Sequence, residues 1–251
     1  MKTTGGTDAQ KRRAGESAAA AVEDGNVVGL GTGSTAAYAI RAIGRAVDSG
    51  LDVRGVSTSF DSRALAREHG IPLIELDATC GPDGPGIDIA IDGADQVVLP
   101  ETIDTDGTGG ESGAEATGTL IKGGGAAHAR EKVVDAAADR FLVVVDPAKR
   151  TEALDADVPV EVLPEARTTA AAAIRDAGGE PTLRRAERKD GPVVTDNGNL
   201  VLDCSFGRIA DPDRLAETLS AIPGVLEHGL FVDLADEIHV GTDDGVTVRS
   251  V

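Results

Sequence analysis

The chain has 251 residues, of which 41% are apolar and only 2% aromatic, so its core must be built mainly from Val, Leu, Ile and Ala. Its formal net charge of −19 argues against nucleic-acid binding, which needs a basic surface. No apolar run approaches the roughly 18 residues of a membrane span, and residues 1–15 lack the apolar segment of a signal peptide. We therefore expect a cytoplasmic protein that binds neither membrane nor nucleic acid.

The charged residues have an unusual composition. Asp and Glu together number 43, and only six of the 24 basic residues are Lys. This pattern is typical of salt-loving archaea, whose concentrated cytoplasmic salt screens the repulsion among acidic side chains. The composition therefore predicts a halophilic protein, and an ordinary acidic protein is the alternative.

The cysteines and histidines give no sign of a metal site. Cys80 and Cys204 are far apart in the chain and lack the spacing of metal ligands. The histidines form no HxxxH or comparable pair; they are His69, His128, His228 and His239. We expect neither a disulfide nor a bound metal.

The first half of the chain alternates short β-branched runs with Ala-rich helical stretches. The predicted helices are 8–24, 36–47, 61–69 and 126–138, and the predicted strands are 26–30, 51–56, 72–76, 87–91 and 141–145. Strands that alternate with helices predict parallel pairing, with helices on both faces of the sheet. The predicted fold class is therefore α/β, with a Rossmann-like open sheet.

The second half has a different order of elements. Its predicted helices are 166–176 and 212–221, and its predicted strands are 158–163, 182–185, 193–195, 200–203 and 225–231, the second and third competing for one position. This is close to β-α-β-β-α-β, the split-βαβ or ferredoxin-like order. We expect a small α+β domain at 158–234 and a Rossmann-like catalytic domain at 1–157 plus 235–251, to which the strand signals in 237–251 would return.

Residues 100–118 stand apart from both halves. The segment is rich in acidic residues, glycine and threonine, and it has no periodic apolar face. This composition predicts a solvated, mobile loop, to which we assign no chemistry.

A glycine-rich turn, residues 29–35 (Gly-Leu-Gly-Thr-Gly-Ser-Thr), lies between the first predicted strand and the next helix. Free N–H groups at a helix start, together with the hydroxyls of Ser34 and Thr35, could cradle a phosphate monoester. The turn lacks the lysine of a P-loop and does not match GxGxxG, which disfavours a nucleotide ligand. Taken alone, it could also be purely structural.

A pair of carboxylates follows a later predicted strand. Asp92-Gly93-Ala94-Asp95 lies where open α/β sheets bind ligands, at the carboxyl end of a strand. A helix cap or a simple turn is the alternative for this motif in isolation.

The sharpest motif is residues 122–132, Lys-Gly-Gly-Gly-Ala-Ala-His-Ala-Arg-Glu-Lys. Its three glycines can present N–H donors at a helix start, the geometry that stabilises a developing oxyanion. Lys122 could pair with a carboxylate or a substrate oxygen, and Glu131 lies within reach of the same pocket. For Glu131 alone, a solvated charged helix face is the alternative.

Together these motifs resemble those of the ribose-5-phosphate isomerase A family. The matching blocks, in chain order, are GTGST (31–35), DGAD (92–95), KGGGAA…REK (122–132), 143–149, 193–199 and 222–225. The resemblance covers nearly the whole chain. It implies an enzyme of pentose phosphate metabolism that interconverts D-ribose 5-phosphate and D-ribulose 5-phosphate through an enediolate, without metal or other cofactor.

The resemblance also implies roles for individual residues. Glu131 would be the base, Lys122 and the glycine amides would stabilise the enediolate, and Asp92 would assist ring opening or shuttle protons. Asp95 would position Lys122 or the sugar hydroxyls. The implied substrate-binding residues are Thr32, Gly33, Ser34, Thr35, Lys11, Ser57, Gly123, Gly124, Gly125 and Lys149. The implied partner is a small sugar phosphate, and a homodimer or homotetramer is expected.

The chain departs from the family pattern in two places, and other families share its general architecture. The link between Asp95 and Lys122 is longer than usual, and Gln96 replaces an acidic residue. Sugar-phosphate-sensing regulators would need a basic helix-turn-helix, for which the chain has no room. A CoA transferase would need a nucleophilic Glu in a different context. A related phosphosugar isomerase or deaminase remains the alternative.

Overall fold

The computed structural model describes residues 5–99 and 118–251, so the loop predicted at 100–118 lies outside the described residues except for Gly118. The helices are α1 (Asp8–Ala19), α2 (Ala36–Asp48), α3 (Phe60–Glu68), α4 (Leu76–Thr79), α5 (His128–Ala136), α6 (Arg167–Asp176) and α7 (Pro212–Ser220). The strands are β1 (Val27–Leu30), β2 (Arg54–Ser57), β3 (Ile89–Gly93), β4 (Gln96–Val98), β5 (Leu120–Ile121), β6 (Phe141–Val145), β7 (Arg150–Thr151), β8 (Val158–Val162), β9 (Glu180–Leu183), β10 (Leu200–Ser205), β11 (Val225–His228), β12 (Leu230–Phe231), β13 (Glu237–Gly241) and β14 (Val246–Ser250).

The largest sheet has six strands in the order β14-β13-β6-β3-β1-β2. Its neighbouring strands pair in parallel, except that β14 runs antiparallel to β13 at the edge. One face packs on the small apolar residues of α1, α2 and α3, and the other packs on α5 and on a third, smaller sheet. Burial on both faces explains the continuous apolar runs of its inner strands, and the prediction of an α/β fold with an open parallel sheet is confirmed.

A second sheet lies within residues 158–228. Its four strands pair antiparallel in the order β11-β8-β10-β9, which is the strand order of a split-βαβ unit with α6 and α7 as its helices. Of the two predicted segments that competed for one strand position, 182–185 overlaps β9, which runs from Glu180 to Leu183. The other, at 193–195, makes only an isolated bridge between Val194 and Leu200.

A third sheet has four strands in the order β12-β5-β4-β7. Asp95 directly precedes its strand β4, and Lys122 directly follows its strand β5. Antiparallel pairing of β4 with β5 places Gln96 opposite Ile121, although the two lie far apart in sequence. The Asp95 N–H donates to the Ile121 carbonyl oxygen at 2.8 Å, which brings the end of the DGAD motif beside Lys122. This sheet therefore joins two of the sequence motifs.

Three further predicted elements differ clearly from the structure. The helix predicted at 8–24 ends at Ala19, and the strand predicted at 225–231 is two short strands, β11 and β12. The strand predicted at 72–76 is wrong: only Leu73 bridges to Gly55, because Pro72 has no N–H to donate and a helical turn begins at Leu76. No helix within residues 5–99 and 118–251 is long and apolar enough to cross a membrane.

Candidate active site

The site lies at the carboxyl ends of β1 and β3, which are neighbours in the parallel sheet. The β1–α2 turn (residues 31–35) contacts the DGAD motif here, because the Asp92 Oδ1 accepts the Thr32 N–H at 2.9 Å and the Gly93 N–H at 2.6 Å. Gly31 is required for this approach, since a Cβ at that position would lie 2.2 Å from the Asp92 Oδ1. Two motifs that are distant in sequence therefore form one surface.

The centre of the site is a buried cation among carboxylates, which we call the Lys122 cluster. The Lys122 Nζ lies 2.9 Å from the Asp92 Oδ2, 3.4 Å from the Glu131 Oε2 and 4.0 Å from the Asp135 Oδ2. None of the four side chains is more than 4% exposed. The same ammonium also donates to the Gly93 carbonyl oxygen. Because water is largely excluded, each of these charges acts strongly on the others.

Burial shifts the proton affinities of the cluster. It raises the pKa of Glu131 from 4.5 to about 8, with the negative charge of Asp92 adding to the effect and Lys122 opposing it. Burial likewise raises the pKa of Asp92 and raises that of Asp135 well above its ordinary value. Burial alone would lower the pKa of Lys122, but the surrounding carboxylates raise it, so the ammonium stays charged. The cluster can therefore hold a proton on a carboxyl group near neutral pH.

Main-chain hydrogen bonds position Lys122 and Glu131. The Lys122 N–H donates to the Gly229 carbonyl oxygen at 2.8 Å, and a Cβ on Gly229 would lie only 2.2 Å from the Lys122 carbonyl oxygen. This close approach divides the apolar run 225–231 into β11 and β12. Glu131 lies in the first turn of α5 on its buried face.

Asp95 binds the glycine loop (Gly123–Gly125) in the structure. The Asp95 Oδ2 accepts the Gly124 N–H at 2.6 Å, and a Cβ on Gly124 would lie 2.6 Å from the Asp95 Oδ1. Gly123 adopts a left-handed φ of +101°, which favours glycine. We expected Asp95 to position Lys122 or sugar hydroxyls, whereas the carboxylates within 4.0 Å of Lys122 in the described part of the chain are Asp92, Glu131 and Asp135.

A set of hydroxyl groups surrounds the β1–α2 turn. The Thr32 Oγ1 lies 2.8 Å from the Thr58 Oγ1 and 2.7 Å from the Ser59 Oγ, while Ser57 is paired in register with Leu30 and is buried. At the start of α2, the N–H groups of Ser34 and Thr35 donate to no acceptor within the described residues. Unpaired N–H groups at a helix start favour an anionic ligand.

The two predicted lysines lie at the carboxyl end of β6, at the same edge of the sheet. A Cβ on Gly5 would lie 3.2 Å from the Lys11 Nζ and 2.9 Å from the Asp146 Oδ2, so Lys11 and Asp146 flank this glycine. Lys149 ends the short 3₁₀ turn Pro147–Lys149, which Asp146 caps by accepting the Ala148 N–H at 3.0 Å.

Sequence reasoning missed two residues that contact the site. Asp135 lies four positions after Glu131 on α5, and this spacing places both on one helix face. That spacing was a usable signal. Arg184 donates to the Gly123 carbonyl oxygen at 2.8 Å, but nothing in its local sequence indicates this contact.

A buried lysine paired with carboxylates, next to a helix start that can take an anion, is the arrangement expected in an enzyme that moves protons on a small anionic molecule. Comparison with known proteins gives the family. Residues 54–245 match the model of ribose 5-phosphate isomerase A (phosphoriboisomerase A). The chain is 70% identical to ribose-5-phosphate isomerase A of Halorubrum lacusprofundi over 248 residues, which cover 99% of each chain.

Solved structures agree with this match. The ribose 5-phosphate isomerase A of Methanocaldococcus jannaschii is 40% identical, with a TM-score of 0.84 over 96% of this chain and 98% of that one. A D-ribose-5-phosphate isomerase in complex with phospho-erythronic acid is 38% identical, with a TM-score of 0.87 over 98% of this chain and all of that one. The chain belongs to the ribose-5-phosphate isomerase A family, and it is an isomerase.

Proposed function

We propose that this isomerase interconverts D-ribose 5-phosphate and D-ribulose 5-phosphate through an enediolate, with Glu131 as the base. The observation that carries the proposal is the position of Glu131, which is 3% exposed and has its Oε2 3.4 Å from the Lys122 Nζ. A carboxylate with a pKa of about 8 can both accept and release a proton near neutral pH.

The proposed reaction moves one carbon-bound proton. Glu131 removes the proton from C2 of the open-chain aldose, and the electron pair of that bond forms the C1–C2 double bond while the negative charge develops on O1. Glu131 then returns the proton to C1 as the carbonyl forms at C2, and a proton passes from O2 to O1. We propose that Lys122 and the amides of the glycine loop stabilise the charge on these oxygens.

Asp92 contributes by position and by charge. One of its oxygens accepts the N–H groups of Thr32 and Gly93, and the other contacts Lys122. We propose that Asp92 holds Lys122 against the substrate oxygens and relays protons between them through this contact. Because Lys122 and the amides supply the positive charge, the proposed steps require no metal, nucleotide or flavin.

The β1–α2 turn is the proposed site of the substrate phosphate. The unpaired N–H groups of Ser34 and Thr35, the hydroxyl of Thr32 and the exposed amide of Gly33 all belong to this turn. Ser57, Lys11 and Lys149 are proposed to complete it. A solved relative binds phospho-erythronic acid, a phosphorylated sugar acid, which supports a sugar phosphate as the ligand. Assembly as a dimer or tetramer stays a prediction.

The test is formation of ribulose 5-phosphate from ribose 5-phosphate, in molar KCl with a chelator, by the wild type and by Glu131→Gln. We expect the variant to lose roughly a thousandfold in kcat or more, since it lacks the base, with an unchanged circular dichroism spectrum. Exchange of the C2 proton with D2O should fall in parallel. Glu165→Gln, on the surface, is the matched control. Full activity of Glu131→Gln would assign the base to another residue, Asp92 first.

A further inference from the structure

Arg184 reaches from the second sheet to the glycine loop of the active site. It directly follows β9, and its Nη1 donates to the carbonyl oxygens of Gly123 at 2.8 Å and Gly124 at 3.3 Å. The rest of the guanidinium is held by Asp203 on β10, whose Oδ1 and Oδ2 lie 3.1 and 2.9 Å from the Arg184 Nε. The Arg184 Nη2 also contacts Asp203. One side chain therefore ties the loop to the second sheet.

The planar peptide bond transmits this contact to the other side of the loop. In a trans peptide, the C=O and N–H groups point in opposite directions. The Gly123 carbonyl and the Gly124 N–H belong to one peptide, whose oxygen is held by Arg184 and whose N–H is held by Asp95 at 2.6 Å. This peptide is fixed at both ends.

The next peptide is held at one end only. The Gly124 carbonyl faces Arg184, so the Gly125 N–H points away from Arg184. That N–H donates to no acceptor within the described residues. A Cβ on Gly125 would lie 3.5 Å from the Thr32 Cγ2, which places this glycine on the side of the β1–α2 turn. The Gly125 N–H is thus an unused donor on a glycine that borders the β1–α2 turn.

The Ala126 N–H also donates to the Gly123 carbonyl oxygen at 3.0 Å, but this one turn hydrogen bond does not bind the peptide between Gly124 and Gly125. That peptide can reorient, because glycine has the largest backbone freedom of any residue. A donor that must reorient during the reaction stabilises a developing charge less than one that is already in place. The Arg184 side chain is only 15% exposed and that of Asp203 19%, so their pairing is poorly screened by solvent. Because Asp203 fixes the guanidinium, the two loop carbonyl groups that Arg184 binds have a fixed partner.

We propose that Arg184, held by Asp203, is a positioning residue that orients the Gly125 N–H toward the enediolate oxygen. The inference rests on the proposed function, in which the loop amides stabilise that charge. Arg184 touches no reacting atom, and it acts through the two carbonyl groups that it binds. It also makes turnover depend on the position of the second sheet relative to the glycine loop.

The test uses Arg184→Lys and Arg184→Ala, assayed in molar KCl. Lysine keeps the charge but cannot bind Asp203 and two carbonyl groups together, so both variants should lose roughly 10- to 100-fold in kcat, with KM changed less than about threefold. Tens of millimolar guanidinium should restore part of the kcat of Arg184→Ala, whereas equal ammonium should not. Arg140→Ala, which removes a surface ion pair with Glu237, is the control and should keep wild-type kcat.

The outcomes separate the two proposals. A lowered melting temperature with normal kcat per folded enzyme, or no rescue by guanidinium, would overturn the positioning role of Arg184. The proposed function would still stand if Glu131→Gln were inactive in the same series. An inactive wild type, or an active Glu131→Gln, would instead remove the proposed function itself.

Discussion

Asp135 has a distinct position in the Lys122 cluster. Both of its carboxyl oxygens are buried without a hydrogen-bond partner in the described residues, and it is the carboxylate farthest from Lys122, at 4.0 Å. One ammonium cannot compensate three buried carboxylates, so the group with least support should carry a proton. The pKa of Asp135, raised well above its ordinary value by burial and then by Asp92, agrees with a neutral acid at this position.

This distribution of protons predicts the pH dependence of turnover. With a pKa of about 8, Glu131 is protonated below that pH and cannot act as a base, so kcat/KM should fall as the pH drops through about 8. An ordinary glutamate would keep its activity down to about pH 4.5. The groups that act on Glu131 are Asp92, Lys122 and Asp95, so the midpoint belongs to the cluster as a whole.

The measurement is a pH profile of kcat/KM between pH 5 and pH 9, for the wild type and Asp135→Asn. Asparagine reproduces the shape of a neutral acid, so the acidic limb should stay where it is in the wild type. A limb near pH 5 in the wild type would contradict the role of burial. A limb moved strongly downward in Asp135→Asn would show that Asp135 is ionised.

The raised pKa of Glu131 also predicts that this residue lowers the free energy of unfolding at high pH. Its folded pKa of about 8 lies above the ordinary 4.5, so the folded state keeps a proton that the unfolded chain releases, and stability falls as pH rises between these values. Gln cannot ionise, so Glu131→Gln should unfold at a higher temperature than the wild type, by an amount that grows from pH 5 to pH 9. Since a tenfold change in acidity is about 1.4 kcal/mol, the gain should be on the order of a few kcal/mol at pH 9. A pH-independent difference, judged against Glu165→Gln, would contradict this.

At the scale of elements, local sequence patterns predicted the strands and helices whose bounds depend on neighbouring residues in the chain. The run Phe141–Val145 was predicted with its observed bounds because an uninterrupted apolar run of that length suits a strand buried on both faces. The division of 225–231 at Gly229 could not be predicted, since it depends on the N–H of Lys122, a residue distant in sequence. For the same reason, the motifs predicted the presence of Lys122 and Glu131 in one pocket but not the contacts of Arg184.

A buried glutamate on β8 supports the turn that follows β9. The Glu161 Oε1 accepts a hydrogen bond from the Thr195 hydroxyl group at 2.8 Å. It also accepts hydrogen bonds from the side-chain N–H groups of Asn197 and Asn199, at 3.0 and 2.9 Å. Asp196, in the same turn, contacts the start of α3: its Oδ2 accepts the Phe60 N–H at 2.8 Å. Phe60 is the first residue of α3 and follows Ser57 closely in the chain. The second sheet thus contacts the active-site edge of the first at this point as well.

Removing this acceptor should destabilise the fold. Glu161→Ala leaves two buried donors, Thr195 and Asn199, and the exposed Asn197 without this acceptor, so we expect a loss of about 2–4 kcal/mol in the free energy of unfolding. Glu180→Ala, on the exposed edge strand β9, should change it by less than about 0.5 kcal/mol. Chemical denaturation in high salt measures both variants, and equal midpoints would show that the Glu161 hydrogen bonds contribute nothing.

At the scale of the whole molecule, the net charge bears on the salt requirement, and the organisation of the sheets bears on the division into domains. Forty-three acidic residues give the chain its net charge of −19, and a relative at 70% identity comes from Halorubrum lacusprofundi, which fits the prediction of a halophilic protein. We propose that the chain divides into residues 1–157 plus 235–251 and residues 158–234. The supporting observation is that the second sheet draws all its strands from within 158–228.

The net charge predicts loss of structure in dilute buffer. In molar salt the Debye length is about 3 Å, so acidic side chains repel one another little, whereas at about 10 mM it reaches about 30 Å. Dialysis from molar to millimolar KCl should therefore reduce the far-ultraviolet circular dichroism signal. Dialysis into the same dilute buffer with molar KCl restored is the control, and an unchanged spectrum at low salt would contradict the prediction.

The pairing of β4 with β5 has a consequence for how this family can vary. Gln96 pairs with Ile121, and the Val98 N–H donates to the Thr119 carbonyl oxygen at 3.1 Å. These contacts join the chain segment before the link between β4 and β5 to the segment after it. This ladder holds Asp95 and Lys122 beside each other. Because the entropic cost of closing a loop rises only slowly with its length, insertions here cost little stability. We therefore expect variants with a shortened or lengthened link between β4 and β5 to keep Asp95 and Lys122 in the same relative positions.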